Sequence, residues 1–258
     1  MRYSAASVKE LLRRFAAWCG IFRCPVCMKN SGGGRNELCP ECREKLVIYS
    51  VEGRCPGCGG PNDTVLAVCS SCLEFPLRPY IDAVARMEYS GAGRTLIRSM
   101  KFRNRPELAR PLALLAVEKL NESGMVFDAV VPVPLHWRRR LMRSYNQSEL
   151  IAALIAAETG KPLIRGLKKI RETPHQARLK RGERLKNLKG TFAVDDPSFA
   201  GKQLLLVDDV LTTGSTASAA AQALMDNGAR AVRLLCCART PVKARSAPRA
   251  AGNRKKTT

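Results

Sequence analysis

The sequence predicts an α/β protein, a parallel sheet flanked by helices, preceded by a module of two metal-binding ribbons. Three observations predict it. Eight of the eleven cysteines fall into four Cys-x-x-Cys pairs between residues 24 and 72. After Pro76 and Pro79, short β-rich runs alternate with Ala/Leu-rich stretches, the pattern of a parallel sheet with crossover helices. One of those runs ends in Asp208-Asp209 and passes through a hydroxyl-rich loop into a helix. At 258 residues, 45% hydrophobic and 26% charged, the chain is long enough for one or two domains and has an ordinary globular composition.

The N-terminal helix comes first. Val8, Leu11, Leu12, Phe15 and Trp18 recur at helical spacing, so 1–19 reads as an amphipathic helix packing its stripe on the body. MRYSAASVKE lacks the apolar region of a secretion signal, and no apolar run reaches the roughly 18 residues that span a bilayer. The expectation is a cytoplasmic protein with no membrane insertion.

The cysteine module spans 20–79. Its pairs are Cys24/Cys27, Cys39/Cys42, Cys55/Cys58 and Cys69/Cys72, separated by 11, 12 and 10 residues. In a reducing compartment such pairs are ligands rather than disulfides. Two thiolates three residues apart grip one tetrahedral ion from a tight turn, and a second knuckle completes a Cys₄ site. The segment therefore reads as a double zinc ribbon holding two structural Zn²⁺. Sequential pairing of the knuckles is preferred; an interleaved arrangement satisfies the same spacing. An iron–sulfur cluster is the alternative occupant. Cys19 lies outside this register, and Cys236 and Cys237 lie inside a predicted buried strand, where small core residues are expected.

Residues 80–241 form the α/β domain. Its predicted strands are 128–134, 203–210 and 231–238. Its predicted helices cover 107–122, 148–160 and 216–228, the last closing on Gly228. The most informative stretch is LLLVDDVLTTGST, residues 204–216. In open α/β sheets ligands bind at the carboxyl ends of the strands. A Gly- and hydroxyl-rich loop at a helix N-terminus offers a phosphate backbone N–H groups, hydroxyls and a favourable dipole. The acidic pair upstream suits the vicinal hydroxyls of a sugar and also attracts Mg²⁺. The residues spell a ribose 5-phosphate site. By contrast, Asp195-Asp196 follows no apolar strand and precedes Pro197-Ser198, so it reads as a turn.

This stretch resembles the motif by which type I phosphoribosyltransferases bind phosphoribosyl pyrophosphate (PRPP). The resemblance implies that Asp208 and Asp209 contact the ribose hydroxyls as the catalytic acidic pair, and that Thr212, Thr213, Gly214, Ser215 and Thr216 hold the 5-phosphate. Three further blocks, MKFRN (100–104), VVPVPLHWRRRLMRSYNQSELIA (130–152) and TPHQARLKRGERLKNLKGTF (173–192), are similar to those of the ComF family. That family joins an N-terminal double zinc ribbon to a domain of type I phosphoribosyltransferase fold. It implies Mg²⁺ with PRPP as cofactor and a link to natural transformation, with DNA-uptake or helicase proteins as partners. It also implies that residues near 80–105 act with the ribbons as the hood over the acceptor.

The formal charge is +22, about +18 once each Zn(Cys)₄ contributes about −2. Such a balance points to phosphate-bearing partners or to a solvated basic surface. Basic residues cluster at Arg94, Arg98, Lys101, Arg103 and Arg105, at Arg138–Arg140 with Arg143, and over 161–189. By the resemblance, Lys101, Arg143, Arg178 and Arg184 are candidate contacts to phosphate and to departing pyrophosphate, where nearby cations stabilise developing charge best. The same clusters fit the backbone of single-stranded DNA, with Phe102, Trp137 and Tyr145 thinly interleaved. His136 and His175 read as loop histidines. The basic tail, 242–258, has no acidic or aromatic residue and is expected to be disordered. Two functions stay open: a phosphosugar- and DNA-binding protein of DNA uptake, and an active PRPP-dependent glycosyltransferase acting on a nitrogenous acceptor.

Overall fold

The computed structural model describes residues 22–31, 37–73, 78–136, 141, 144–171 and 190–241. The expected N-terminal helix, Cys19, Trp137, the block 138–140, Arg143, His175, Arg178, Arg184 and the basic tail lie outside the described residues.

The elements follow in chain order. Short helices α1 (Pro40–Glu44) and α2 (Ser70–Leu73) belong to the ribbons. Then come β1 (Asp82–Glu88), α3 (Gly91–Phe102), a 3₁₀ turn (Pro106–Leu108), α4 (Ala109–Ser123), β2 (Ala129–Pro132) and α5 (Gln147–Thr159). After β3 (Leu167–Lys169) and β4 (Phe192–Val194) come a second 3₁₀ turn (Pro197–Phe199), β5 (Gln203–Leu211), α6 (Ser215–Asp226) and β6 (Ala231–Arg239). The main sheet is parallel, with strand order β1-β6-β5-β2. Beside β2 an isolated parallel bridge joins Val130 and Leu163. β3 and β4 form a separate antiparallel pair.

The central strand shows why this sheet is parallel and enclosed. Leu204, Leu205, Leu206 and Val207 are all fully buried, so β5 carries a continuous apolar run instead of an alternating one. Side chains alternate between two cores. Leu204 and Leu206 join Val232, Leu234 and Cys236 beneath α6, with the second ribbon's cysteines in the same cluster. Leu205 and Val207 join Leu235 and Cys237 under α3, α4 and α5. Cys236 and Cys237 are core residues, as expected. Asp196 also meets its expectation as a turn residue: its Oδ1 caps the second 3₁₀ turn by accepting from Ser198 N at 2.8 Å.

The ribbons are built into this body. The segment between them pairs with β1, an element the sequence had not marked as a strand. Tyr49 N donates to Arg86 O at 3.0 Å, and Glu88 N to Val47 O at 2.8 Å. Ion pairs reinforce the seam. Arg54 grips both oxygens of Asp82 at 2.6 and 2.7 Å and the carbonyl of Ala83 at 2.8 Å. Arg86 reaches Glu118 and Glu122, and Arg43 of the first ribbon also reaches Glu118. The fully buried Lys119 donates to Tyr49 O at 2.7 Å and pairs with Glu122 at 3.3 Å. Residues 80–105, read as a hood, are thus divided: β1 is an edge strand of the main sheet, and α3 stands at its C-terminal end.

Candidate functional site

β5 carries Asp208 and Asp209 to the C-terminal end of the sheet, and residues 212–214 lead directly into α6. Gly214, the N-cap, has φ +81°, a left-handed conformation that favours glycine. The hydroxyls of Thr213 and Ser215 lie 2.9 Å apart, and Ser215 N donates to Thr213 Oγ1 at 3.4 Å. No acidic residue lies in the first turn of α6, and among the described residues the Thr213 hydroxyl is the side-chain group that reaches its first N–H. The positive end of the helix therefore lies one short loop beyond the acidic pair.

Two other elements close on that pair. α3 delivers Lys101, whose Nζ stands 2.7 Å from Asp209 Oδ1. Burial works against the ammonium, and Asp209 more than offsets it, so the Lys101 pKa is raised. α5 delivers Ser148, whose hydroxyl donates to Asp208 Oδ1 at 3.0 Å. The same oxygen accepts from Asp209 N at 2.9 Å. Burial, then the neighbouring Asp209 charge, pushes the Asp208 carboxyl up to about 6. The N-terminus of α5 is fixed by Asn146. Its Oδ1 caps Ser148 N at 3.1 Å, and its Nδ2 donates to Val133 O, also at 3.1 Å. Tyr145 ties the same turn to α3 through its hydroxyl and Met100 O.

Of the residues singled out in the sequence, Asp208, Asp209 and the loop 212–216 come together at one strand end. Lys101 joins them, but on the carboxylate of Asp209 and not in an open basic patch. Arg143, Arg178 and Arg184 lie outside the described residues. Ser148, Asn146 and Arg78 were not singled out. The signal for the first two was present: Asn146 followed three positions later by Glu149 is a helix-start pattern.

The cysteines form two groups, Cys24/Cys27/Cys39/Cys42 and Cys55/Cys58/Cys69/Cys72, with all sulfurs of a group within 4.8 Å of one another. The pairing is sequential. Cys27 and Cys39 sulfurs lie 3.7 Å apart, and Cys58 and Cys69 sulfurs 3.6 Å. A tetrahedron with zinc–sulfur bonds of about 2.3 Å needs sulfurs about 3.8 Å apart, so each group fits a single zinc ion. All ten cysteines among the described residues are free of disulfides. The second group is buried throughout, whereas Cys27 of the first is exposed.

No protein-family model matches the chain. It is 32% identical over 228 residues to the DNA utilization protein YhgH of Salmonella typhi, covering 86% of this chain and 96% of that protein. It is 29% identical over 227 residues to competence protein F of Haemophilus influenzae, covering 84% and 97%. Among solved structures, the glutamine PRPP amidotransferase of B. subtilis aligns over 51% of this chain and 25% of its own, at 24% identity and a TM-score of 0.34. The near full-length relatives, the two four-cysteine groups and the parallel sheet ending in an acidic pair agree: this chain belongs to the ComF family.

Proposed function

We propose that the chain binds PRPP or a related phosphosugar with Mg²⁺ at the C-terminal end of β5. In this reading its basic surface holds single-stranded DNA, in the cytoplasm, during DNA uptake and natural transformation. The observation that carries the reading is the juxtaposition of Asp208 and Asp209 with the Gly214 turn and the start of α6. Carboxylates accept hydrogen bonds from vicinal hydroxyls and attract a divalent cation, while the helix start accepts a phosphate. Asp208 and Asp209 would hold the ribose and Mg²⁺, and Thr212, Thr213, Gly214, Ser215 and Thr216 the 5-phosphate. Arg143, Arg178 and Arg184 would meet further phosphate. Two relatives are named for competence and DNA utilization, and the formal charge of +22 suits a nucleic-acid backbone. DNA-uptake or helicase proteins are the partners this role requires. No helix among the described residues is long and apolar enough to cross a membrane.

The test is calorimetric titration of the protein with PRPP and Mg²⁺, with Asp208→Asn/Asp209→Asn as control. Binding by the wild type alone upholds the site; no binding at millimolar PRPP sinks it. Salt-sensitive binding of single strands tests the DNA part.

A second reading, an active glycosyltransferase, is favoured by the Asp208 carboxyl at about 6, close to neutrality, where a proton acceptor works best. A nitrogen of the acceptor would form the bond to the anomeric carbon as the bond to pyrophosphate breaks, and its proton would pass to Asp208. Acceptor-dependent release of pyrophosphate distinguishes the two readings.

A further inference from the structure

Arg239 closes β6 and carries a guanidinium into the interior, only 4% exposed. A buried cation is costly unless opposite charge meets it. Among the described residues no carboxylate pairs with this one. Its Nη1 donates to Thr240 O at 3.1 Å, its Nε is buried without a hydrogen-bond partner, and its Nη2 reaches Cys69 Sγ at 4.0 Å. The Tyr49 phenol also stands beside it, but burial pushes that hydroxyl up to about 12, so it is uncharged at neutral pH.

The second cysteine group supplies the missing charge. Four thiolates around a divalent ion carry about −2. This group is buried throughout and shares a core cluster with Leu204, Leu206 and Leu234, which keeps water from balancing it. Arg239 meets it through Cys69, and Arg78, which lines a cavity with Gly57 and Cys72, is a second cation at the same group. At 4.0 Å the Arg239 contact is long for an N–H···S bond. Its strength is Coulombic, since attraction falls only as the inverse of distance and is little screened in the interior.

The route of the side chain is built into the ribbon. Gly60 follows the knuckle of Cys55 and Cys58, and its carbonyl accepts from Cys55 N at 2.7 Å. A Cβ on Gly60 would stand 2.7 Å from Arg239 Cδ and 3.1 Å from its Nε. Gly60 is not among the residues with positive φ, so space and not backbone conformation calls for glycine here. The other end of Arg239 is fixed by the sheet. It stands in register with Leu211 of β5, and Thr240 N donates to Leu211 O at 2.9 Å. The sheet thus holds the cation in place against the ribbon.

The first group has no counterpart. Among the described residues no guanidinium or ammonium donates to the sulfurs of Cys24, Cys27, Cys39 or Cys42. Two arginines beside that ribbon bind backbone instead, Arg23 Nη1 to Met28 O at 3.1 Å and Arg105 Nη1 to Pro25 O at 3.3 Å. Cys27 is exposed, so water balances charge there.

We propose that Arg239 is the charge partner of the second metal centre, a positioning residue that holds the four thiolates and their zinc from the end of β6. Zinc retention in the second group then depends on Arg239, and retention in the first does not. The role needs zinc in the second group and no ligand at the Gly214 loop, so it goes beyond the phosphosugar reading.

The experiment uses the full chain loaded with zinc, as wild type, Arg239→Met, Arg239→Lys and Gly60→Ala. Each is exposed to graded chelator, freed thiols are alkylated, and peptide mapping reads the two groups separately, the first serving as internal control. Arg239→Met is expected to lower zinc affinity in the second group by about tenfold or more and to leave the first unchanged, the usual scale for losing a partner of a metal ligand. Arg239→Lys keeps the charge and should recover part of the loss. Gly60→Ala keeps the guanidinium but displaces its stem, so an intermediate loss is expected. Cobalt in place of zinc gives a readout at the sulfurs themselves. Without the nearby cation the sulfur electrons are held less tightly, so the thiolate-to-cobalt charge-transfer band should move to longer wavelength in Arg239→Met and less in Arg239→Lys.

Wild-type zinc retention by the second group of Arg239→Met overturns the proposal. So does an equal loss from both groups, or weaker retention with an unmoved cobalt band, since either marks a general loosening of the fold. If Arg239→Met does not fold, Arg239→Lys and Gly60→Ala decide: wild-type retention and band position in both overturn it. If the second group of the wild type holds no zinc, the metal centre and the proposal fall together, and the phosphosugar reading stands.

Discussion

The ammonium of Lys101 stands 2.7 Å from Oδ1 of Asp209, joining the end of α3 to the C-terminal end of β5 across 108 positions of sequence. Both side chains are largely withdrawn from solvent, at 18% and 11% exposure. The pair holds the acidic centre together while it is free of ligand. It also means that a Mg²⁺ drawn to Asp209 would compete with a cation already in place.

Lys101→Met should therefore destabilise the fold, because it leaves Asp209 as a largely buried carboxylate without its cation. Breaking one side of a buried pair costs about 3 kcal/mol or more. The double variant Lys101→Met/Asp209→Asn should recover much of that loss. Urea unfolding of the four proteins gives the coupling directly. A coupling near zero would show that the pair contributes nothing to stability.

The raised pKa of Asp208 predicts that the proposed binding of PRPP with Mg²⁺ depends on pH. Its folded value is about 6, above the ordinary aspartate value of about 3.9. Protonation is thus favoured in the folded state. The stability contributed by the protonated group is complete below the unfolded value and is lost as pH rises through about 6. Binding of hydroxyls and Mg²⁺ runs the other way, since it needs the carboxylate. Affinity for PRPP should therefore climb between pH 5 and pH 7 with a midpoint near 6. Titration of the Asp208 carboxyl by NMR checks the cause: the midpoint should fall in Asp209→Asn, where the neighbouring negative charge is gone.

Much of this architecture was legible in the sequence for identifiable reasons. The Cys-x-x-Cys spacing marked the eight ligands but suited sequential and interleaved pairing alike; the structure groups them sequentially. β5 announced itself by an apolar run, and the loop after it by glycine and hydroxyls. β1 was missed because DAVARME mixes two acidic residues and an arginine into a short strand. Those charges pay off only in the tertiary structure, where Arg54 meets Asp82 and Arg86 meets Glu118 and Glu122. Arg78 was missed for the same reason, since it meets the distant Gly214 turn and no local pattern marks it; the helix start at Asn146 was legible, but that it delivers Ser148 to Asp208, 60 positions away, was not. Lys101 was legible as a basic residue near the site, but its carboxylate partner was not.

The two cysteine groups should differ in what their loss does. Cys55, Cys58, Cys69 and Cys72 share a core cluster with Leu204, Leu206, Val232 and Leu234 of the main sheet. Cys24, Cys39 and Cys42 form a small cluster of their own, packed against Val26 and Leu38. Removing metal from the second site should lower the melting temperature of the whole chain, because metal binding supplies folding free energy to the elements it joins. Loss at the first site should unfold that ribbon alone. Cys27 is exposed, so a thiol reagent added with a chelator should label the first site first. Peptide mapping over time checks the order; simultaneous labelling of both groups would contradict it.

Gly59 seats the second ribbon on the sheet, and a single methyl group there should unseat it. Its φ is +69°, and a Cβ at this position would lie 2.4 Å from Ala85 N and 2.5 Å from Val84 C. These are backbone atoms of β1, held in register with β6, and cannot step aside as a flexible side chain can. Gly59→Ala therefore combines left-handed backbone strain with overpacking, each costing about 1–3 kcal/mol. Gly53→Ala is the internal comparison. It has a similar φ of +63°, but nothing lies within 4 Å of an added Cβ, so only the backbone term applies. Thermal unfolding should place Gly53→Ala slightly below the wild type and Gly59→Ala far below it. Equal losses in the two would mean that the ribbon does not rest on β1 at this point.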